Sequence, residues 1–219
     1  MNNSVRSTAR LLGAGLRALL VLTVVCGVIY PLVVTGIAQA AFHDKANGSE
    51  IKVDGRSVGS ERLGQSYNLQ EKDKDGNPLP DPKFFQPRAS AAGANTENTR
   101  YKLLVSGASN LAADSKVLLE NVEKRRTDVA AFNGVSPSKV PVDALTASAS
   151  GVDPDISPEY ARLQAKRVAA ANGLPATTVR KLVEDHVDGR VLGFMGEERV
   201  NVLRLNVALK KLAAGNGKG

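Results

Sequence analysis

The sequence is poor in the side chains on which most enzymes and metal sites depend. It has one cysteine, no tryptophan and two histidines, His43 and His186, among 219 residues. A single cysteine excludes an intrachain disulfide and a cysteine-rich zinc module. Walker-type phosphate loops, glycine-rich dinucleotide turns and Gly-x-Ser-x-Gly elbows are missing as well. We therefore expect no catalytic and no metal-ligating residues, and a chain that is not an enzyme by itself.

Aromatic residues are also scarce, and this bears on the positive charge of the chain. A net charge of +7 and an isoelectric point near 9.6 are typical of nucleic-acid-binding proteins. Three of the positive charges, Arg6, Arg10 and Arg17, lie in the first 42 residues, which contain no acid. The aromatic content is only 4%, and no aromatic residues alternate with basic ones as stacking platforms would require. We expect no nucleic-acid partner.

One long apolar run lies near the N-terminus. Residues 18–42 are 25 consecutive residues without a charge, and about 20 helical residues cross the hydrocarbon core of a bilayer. The run predicts a transmembrane helix over 18–42, surrounded by lipid and kinked at Pro31. By the positive-inside rule, the upstream arginines predict a cytoplasmic tail over 1–17. Residues 43–219 would then be a soluble domain outside the cytoplasmic membrane of a bacterium, in a single-pass protein.

A cleaved signal peptide is the alternative to a retained membrane anchor. Ala38-Gln39-Ala40 resembles a signal-peptidase site, so that cleavage would remove residues 1–40. The apolar run is longer than the roughly 7–15 residues of a signal h-region, which favours the anchor.

The remainder of the sequence predicts one mixed α/β domain, of fold class α+β. Asp54-Gly55 between apolar residues predicts a hairpin, and the polar residues 71–83 predict a loop. Helical spacing predicts helices over about 114–132, from Pro158 to a stop at Asn172-Gly173, and over about 176–187, with Asp114 and Ser157 as caps of the first two. The segment from 200 to 212 is either a strand and a helix or one amphipathic helix.

Two acidic patterns resemble chemical sites. Asp153 and Asp155 form a carboxylate pair, but their context favours a turn at Asp153-Pro154 and a helix-start acid at Asp155. The sequence EKDKDG from Glu71 mimics the start of a calcium loop, but its twelfth position is Pro82, where a bidentate glutamate is required. We interpret this segment as a solvated turn.

Two groups of residues have the chemistry to hold a ligand. The first is a small-residue loop before a predicted helix, where amides and hydroxyls can bind an anion such as phosphate. It consists of Ser106, Gly107, Ser109 and Asn110 with the intervening Ala108. A helix cap without a ligand is the alternative. The second is Gln164 with Arg167, three residues apart on one helix face, which suit a shared ligand or an ordinary surface pair.

Five sequence blocks, taken in order behind a lone N-terminal span, resemble a known family. They are FFQPRASA (84–91), SGASNL (106–111), VP…SASGVDPDIS (140–157), Q…RVA (164–169) and GE…VNVL…LN (196–206). Together they resemble the C subunit of the bacterial Kdp-type potassium-transporting ATPase, the KdpC family, over nearly the full length. Ala108 and Ala149 stand where this family usually has glycine, Ala89 where it has proline, and Asp155 where histidine is common. If these loops required positive φ angles, the alanines would be strained.

The resemblance implies a non-catalytic accessory subunit of a high-affinity, ATP-driven potassium-transport complex. Its partners would be a potassium-binding channel-like subunit, an ATP-hydrolysing P-type subunit and a small membrane peptide. It also implies a catalytic chaperone that raises the ATP affinity of the hydrolysing subunit, with ATP shared between the two. An anchored or secreted extracytoplasmic binding module unrelated to ATP is the alternative.

The predicted topology leaves two mechanisms open, because ATP is cytoplasmic and the arginines place the soluble domain outside. In the first mechanism, the loop 106–110 and Gln164 contact ATP directly. In the second, the outer domain caps the channel-like subunit and stabilises the assembly, and effects on ATP arise through coupling between subunits.

Overall fold

The structure, a computed structural model, describes residues 2–74, 76, 78–90 and 106–216. Asp75 and Ala91, which belong to two of the sequence patterns above, lie outside the described residues. The chain divides into two compact units, Met1–Ser49 and Glu50–Gly219.

The first unit is mainly a long apolar helix with a wider turn at its middle. Helix α1 (Asn2–Val24) continues through a π-helical turn (Val25–Ile29) into α2 (Tyr30–Ala41), and the short α3 (His43–Ala46) follows. By length and composition, Ser4–Ala41 is able to cross a membrane. The helix is continuous across residues 17 and 18, where the sequence predicts that the cytoplasmic tail ends and the membrane span begins. This boundary therefore stays a prediction.

The π-helical turn lies directly before Pro31. The Tyr30 N–H donates to the carbonyl of Val25, five residues back. In a regular α-helix, the ring of a proline clashes with the carbonyl four residues back, and a wider turn relieves this clash. The proline is therefore accommodated by a local change of helix type.

Two antiparallel hairpins open the second unit. Strands β1 (Glu50–Val53) and β2 (Arg56–Ser60) pair around Asp54 and Gly55, whose φ angles are 50° and 77°. This confirms the predicted hairpin, because two central residues with positive φ define its tight turn. Strands β3 (Asn68–Lys72) and β4 (Pro78–Pro80) form the second hairpin. The loop predicted over 71–83 is therefore partly wrong, since a two-stranded ribbon tolerates prolines at its edge.

Five helices follow among the described residues of the second unit. They are α4 (Lys116–Asn133), α5 (Val142–Leu145), α6 (Pro158–Ala171), α7 (Ala176–Glu184) and α8 (Val202–Asn216), with a 3₁₀ turn at Pro137–Lys139. Ser157 caps α6 as predicted, accepting the Tyr160 N–H at 3.0 Å. The cap of α4 is Ser115, which accepts the Leu118 N–H at 3.4 Å, so the prediction of Asp114 was wrong by one residue.

A small antiparallel sheet and side chains from helices α4 to α8 build the core. Strands β5 (Asp155–Ile156), β6 (Val187–Asp188) and β7 (Arg199–Asn201) are ordered β5-β7-β6. The C-terminal segment is thus a strand followed by a helix, and α7 ends before residue 187 because β6 begins there. Ala161, Ala165 and Ala169 recur every fourth residue on α6 and are at most 2% exposed, so neighbouring elements approach its backbone closely. The α+β fold class is confirmed.

Candidate functional site

Two buried side-chain amides hold the backbone of Phe85 and Gln86. Asn206 on α8 accepts the Phe85 N–H and donates to the Phe85 carbonyl, both at 2.9 Å. Gln164 on α6 accepts the Gln86 N–H at 2.7 Å and donates to the Gln86 carbonyl at 3.1 Å. Gln164 is 0% exposed and Asn206 is 1% exposed. We call this arrangement the amide clamp; it satisfies the backbone groups of two consecutive residues as a neighbouring strand would.

Arg167 extends the amide clamp by a further turn of α6. Its guanidinium lies 4.3 Å from the centre of the Phe132 ring. It donates to the Gln164 Oε1 at 2.8 Å and the Asn133 Oδ1 at 2.9 Å, and to the carbonyls of Phe84 at 3.0 Å and Pro82 at 2.6 Å. Burial lowers the pKa of Arg167 to about 10, so the group stays cationic at neutral pH. The structure therefore brings Gln164 and Arg167 together as predicted, but directs both at the chain's own backbone.

The loop of Ser106, Gly107, Ser109 and Asn110 is exposed and lies against Ser150. The Ser106 hydroxyl and the Gly107 N–H both donate to the Ser150 carbonyl, at 2.8 and 3.0 Å. Helix α4 begins only at Lys116. The alternative that this loop caps the helix is therefore wrong, because the cap of α4 is Ser115, whereas an anion site in the loop stays a prediction. Among the described residues, no hydrogen bond connects the loop to Gln164 or Arg167.

Ser148 and Gly151, on either side of Ser150, lie in the wall of a polar cleft of about 220 Å³, which the loop residues 106–110 do not line. Arg88 extends along it and donates to the Asp153 Oδ2 at 3.1 Å and the Thr146 Oγ1 at 3.2 Å. The Arg88 Nε is buried and has no hydrogen-bond partner within the described part of the chain. Arg88 belongs to the FFQPRASA block, yet sequence reasoning did not select it as a site residue.

The cleft and the clamp differ in how well they suit a nucleotide. The cleft is smaller than the roughly 300–1,000 Å³ of typical ligand pockets, so it has room for a phosphate group or two. In the clamp, the amide of Gln164 already accepts from and donates to the backbone of Gln86, and the guanidinium of Arg167 already donates to oxygens of the chain itself. These two side chains therefore do not fit a role as ATP ligands in this arrangement.

The two aspartates of the carboxylate pair are structural. Asp153 Oδ1 accepts the Asp155 N–H at 3.0 Å, which confirms the turn. Asp155 lies in β5, where burial raises the pKa of its carboxyl although Asn201 and Arg199 oppose that shift. Its prediction as a helix-start acid is wrong, because Asp155 lies in the sheet and the acid in the first turn of α6 is Glu159. Asp143 instead holds the cap residue, accepting the N–H and hydroxyl of Ser157 at 2.8 and 2.9 Å.

The alanines that replace family glycines or proline are not strained. In the described part of the chain, the non-glycine residues with positive φ are Ser49, Asp54, Asn110 and Leu192. Ala89, Ala108 and Ala149 are described and are not among them. The loops at these positions therefore accept a side chain without a conformational cost.

Comparison with known proteins gives one consistent result. The model of the family described as "KdpC: K+-transporting ATPase, c chain" matches residues 12–211. A protein of Streptomyces avermitilis named potassium-transporting ATPase KdpC subunit is 57% identical over 220 residues, which cover 98% of this chain and 99% of that protein. Proteins with the same name from Kineococcus radiotolerans and Nitratidesulfovibrio vulgaris are 47% and 44% identical, over 91% and 92% of this chain and 92% and 93% of theirs.

Proposed function

Because the chain belongs to the KdpC family, the c chain of the K+-transporting ATPase, we propose that it is a non-catalytic accessory subunit of that complex. It stabilises the assembly and acts as a catalytic chaperone that raises the ATP affinity of the ATP-hydrolysing P-type subunit. Its partners are that subunit, a potassium-binding channel-like subunit and a small membrane peptide. Potassium is the ion that the complex transports.

The proposed topology has the N-terminus in the cytoplasm and the soluble domain outside. The helix Ser4–Ala41 has 38 residues, which at about 1.5 Å per residue extend about 57 Å. This is roughly twice the 30 Å of a hydrocarbon core. The excess length is accounted for if the first part of the helix, with Arg6, Arg10 and Arg17, lies in the cytoplasm.

The amide clamp is the observation that favours an indirect effect on ATP. Of the six residues predicted to bind a ligand, Gln164 and Arg167 use their polar groups to hold the chain's own backbone. Ser106 and Gly107 donate to Ser150. In our proposal the soluble domain is a stiff body that caps the channel-like subunit, and ATP affinity changes through coupling between subunits.

Direct contact with ATP is the second candidate function. The guanidinium of Arg88 and the hydroxyl of Ser148 line a cleft next to Ser150, which the loop 106–110 contacts, and cationic and hydroxyl donors suit phosphate oxygens. In this candidate the loop residues Ser106, Gly107, Ser109 and Asn110 hold the phosphates. Gln164 and Arg167 then position the backbone that carries Arg88.

External protease on intact spheroplasts tests the topology on which the indirect mechanism depends. We expect the protease to digest the residues that follow the span while a cytoplasmic marker stays intact. Protection of these residues until the membrane is permeabilised would refute the outer location and favour direct contact with ATP. An intact-mass measurement distinguishes the remaining alternative, since a secreted module would begin after Ala40.

A mild-detergent pull-down through a C-terminal tag tests membership in the assembly. We expect the three other subunits to co-purify with the full-length chain. Recovery of the chain alone, in a detergent in which the other subunits stay together, would contradict the accessory role.

A further inference from the structure

An apolar pocket lies between the hairpin of β1 and β2 and helix α8. Its volume is about 360 Å³, within the range of about 300–1,000 Å³ that is typical of ligand sites, which are likewise lined mainly by apolar side chains. The residues that α8 contributes share one helix face, because they recur at intervals of three or four residues. We call this space the hairpin pocket; its apolar wall consists of Val53 and Val58 of the hairpin and of Leu203, Val207 and Ala214 of α8.

The hairpin and α8 are in close contact beside the pocket. A Cβ at Gly59 of β2 would lie 2.9 Å from the Leu203 Cδ2 and 2.8 Å from the Gln65 Oε1, so no larger residue fits there without a shift of its neighbours. The hairpin is therefore seated directly on α8, and the elements that enclose the hairpin pocket are packed as in a protein core.

The uncharged polar side chains that line the hairpin pocket are already hydrogen-bonded within the chain. The Gln65 Nε2 donates to the Tyr67 hydroxyl at 3.0 Å, and Asn206 pairs with both backbone groups of Phe85 at 2.9 Å. Burial raises the pKa of Tyr67 above its ordinary value of 10.0, so this phenol adds no negative charge at neutral pH. The interior of the pocket therefore suits the apolar part of a ligand.

Lys210 and Lys211 place positive charge at one end of the hairpin pocket. They follow Leu203 by seven and eight residues, which corresponds to about 11 Å along the axis of α8. Leu203 is buried, whereas both lysines are exposed. The Lys210 ammonium lies 5.1 Å from the centre of the Phe84 ring, a contact that holds the charge in place. The wall of the pocket along α8 therefore changes from apolar to cationic.

The remaining charges around the hairpin pocket leave an excess of positive charge. Asp54 is the one acidic residue in its wall among the described residues, and Arg56 lies two residues further along the hairpin. In the part of the chain that the structure describes, Asp54, Arg56 and the two lysines take part in no ion pair. Three basic groups thus face one acidic group. The other charged side chains of the hairpin and of α8 are in ion pairs: Lys52 with Glu50 at 3.7 Å and Arg204 with Glu61 at 2.7 Å.

We propose that the hairpin pocket binds one fatty-acid anion. The acyl chain lies along Leu203 and Val207, and the carboxylate accepts charge-assisted hydrogen bonds from Lys210 and Lys211. A pocket near the lower end of the usual size range has room for one acyl chain and not for the two chains of a phospholipid. This binding needs no other subunit, so it goes beyond the function proposed above and does not depend on it.

Photolabelling of the full-length chain in phosphatidylcholine nanodiscs tests this proposal. The probe is hexadecanoate with a diazirine in its acyl chain, and mass spectrometry identifies the labelled residues. Label on the membrane span reports how much probe enters the bilayer and serves as the reference. We expect label on residues 50–60 and 202–214 in clear excess over the rest of the soluble domain. The uncharged alcohol with the same acyl chain should label these residues about fivefold less.

Lys210→Ala/Lys211→Ala removes the charges that hold the carboxylate. Both side chains are exposed, so the variant should fold, and we expect labelling of the pocket to fall about fivefold. The matched control is Lys116→Ala/Lys166→Ala, which makes the same change of net charge at exposed positions of α4 and α6. Equal labelling of the two double variants, or of the unmodified chain by the acid and the alcohol, would overturn the proposal.

Val207→Phe fills the hairpin pocket with a larger side chain. We expect it to reduce labelling of the pocket about tenfold, because the acyl chain loses its space. Val117→Phe, at an exposed position of α4, is the matched control and should label like the unmodified chain. Undiminished labelling of Val207→Phe would place the probe elsewhere on the domain and overturn the proposal.

Two further measurements distinguish a fatty acid from other occupants of the pocket. Labelling of the pocket by a diazirine phosphatidylglycerol but not by the free acid would assign it to a phospholipid and overturn the proposal. Labelling that is lost when the chain assembles with the other subunits would show that a subunit fills the pocket, and would overturn it as well. Failure of the chain to co-purify with those subunits would instead refute the proposed function and leave the labelling result intact.

Discussion

The side-chain amide of Gln164 pairs with both backbone groups of Gln86, at 2.7 and 3.1 Å, across 78 residues of sequence. Asn206 repeats this pairing on Phe85. Together they place the segment that carries Arg88 against α6 and α8, and so position one wall of the polar cleft. Gln164 and Arg167, which the sequence suggested as ligand-binding residues, therefore stabilise the fold of the domain.

Gln164→Met is expected to destabilise the domain strongly. Methionine has a similar volume but removes the partners of the Gln86 N–H and carbonyl and the acceptor of the Arg167 guanidinium, at a cost of about 2–4 kcal/mol. The matched control is Gln70→Met, because Gln70 is exposed on β3 and should change stability by less than about 0.5 kcal/mol. Denaturant unfolding in detergent measures both. Equal midpoints for the two variants would show that the clamp contributes nothing.

Arg167→Lys is expected to lower the free energy of unfolding by about 2–3 kcal/mol. One ammonium group cannot replace a planar guanidinium that donates to four oxygens and stacks on Phe132. Arg180→Lys on the exposed face of α7 is the control and should be close to neutral. Thermal unfolding followed by circular dichroism gives the comparison. A Tm for Arg167→Lys equal to that of the control would show that the four hydrogen bonds of the planar guanidinium do not stabilise the domain.

Gly64→Ala and Gly107→Ala are expected to differ sharply. The Gly64 N–H donates to the Val152 carbonyl at 2.8 Å, and a Cβ at Gly64 would clash with the carbonyl of Asp153. Around Gly107 a Cβ would meet nothing within 4 Å. We therefore expect a loss of about 2–4 kcal/mol for Gly64→Ala and less than about 0.5 kcal/mol for Gly107→Ala. Similar unfolding midpoints for the two variants would contradict the close approach of the Asp153 carbonyl to Gly64.

Alkaline pH is expected to destabilise the domain through Tyr160. Burial raises the pKa of this phenol from 10.0 to about 12, so between these values the folded state binds the proton more tightly than the unfolded state. Stability is thus fully present below pH 10 and falls as the pH rises to 12, by roughly 2–3 kcal/mol. Tyr160→Phe should lose less stability over this range. Denaturant unfolding at pH 9 and pH 11 tests this, and identical losses for the two proteins would be the contrary result.

Local patterns in the sequence predicted much of the fold. Asp54-Gly55 specified its turn because positive φ angles are costly for most residues, and Ser157-Pro158 specified the start of α6 through capping and a preset φ. The hairpin of β3 and β4 was missed because its prolines are typical of loops. The cap at Ser115 was missed because Asp114 is an equally good cap residue in isolation.

The candidate site was harder to predict because its contacts are long-range. Gln164 and Arg167 stand out by residue type, but their partners Gln86 and Pro82 lie 78 and 85 residues away. Asn206 is 121 residues from Phe85. Helical periodicity predicts which face of a helix a residue lies on, but it does not predict which segment of backbone packs against that face. Arg88 was missed for the same reason, because its partners Asp153 and Thr146 lie 65 and 58 residues away in the sequence.

The ATP dependence of the purified complex tests the central claim, an indirect role in ATP affinity, most directly. The complexes to compare contain the unmodified chain, the variant Ser106→Ala/Asn110→Gly, or no such chain, and the measured quantity is the KM for ATP. Glycine keeps the positive φ angle of residue 110, so the double variant removes polar groups with little strain. We predict a KM within twofold of the unmodified complex for the variant, and a raised KM without the chain. A KM raised equally by the loop variant and by omission of the chain would contradict the account.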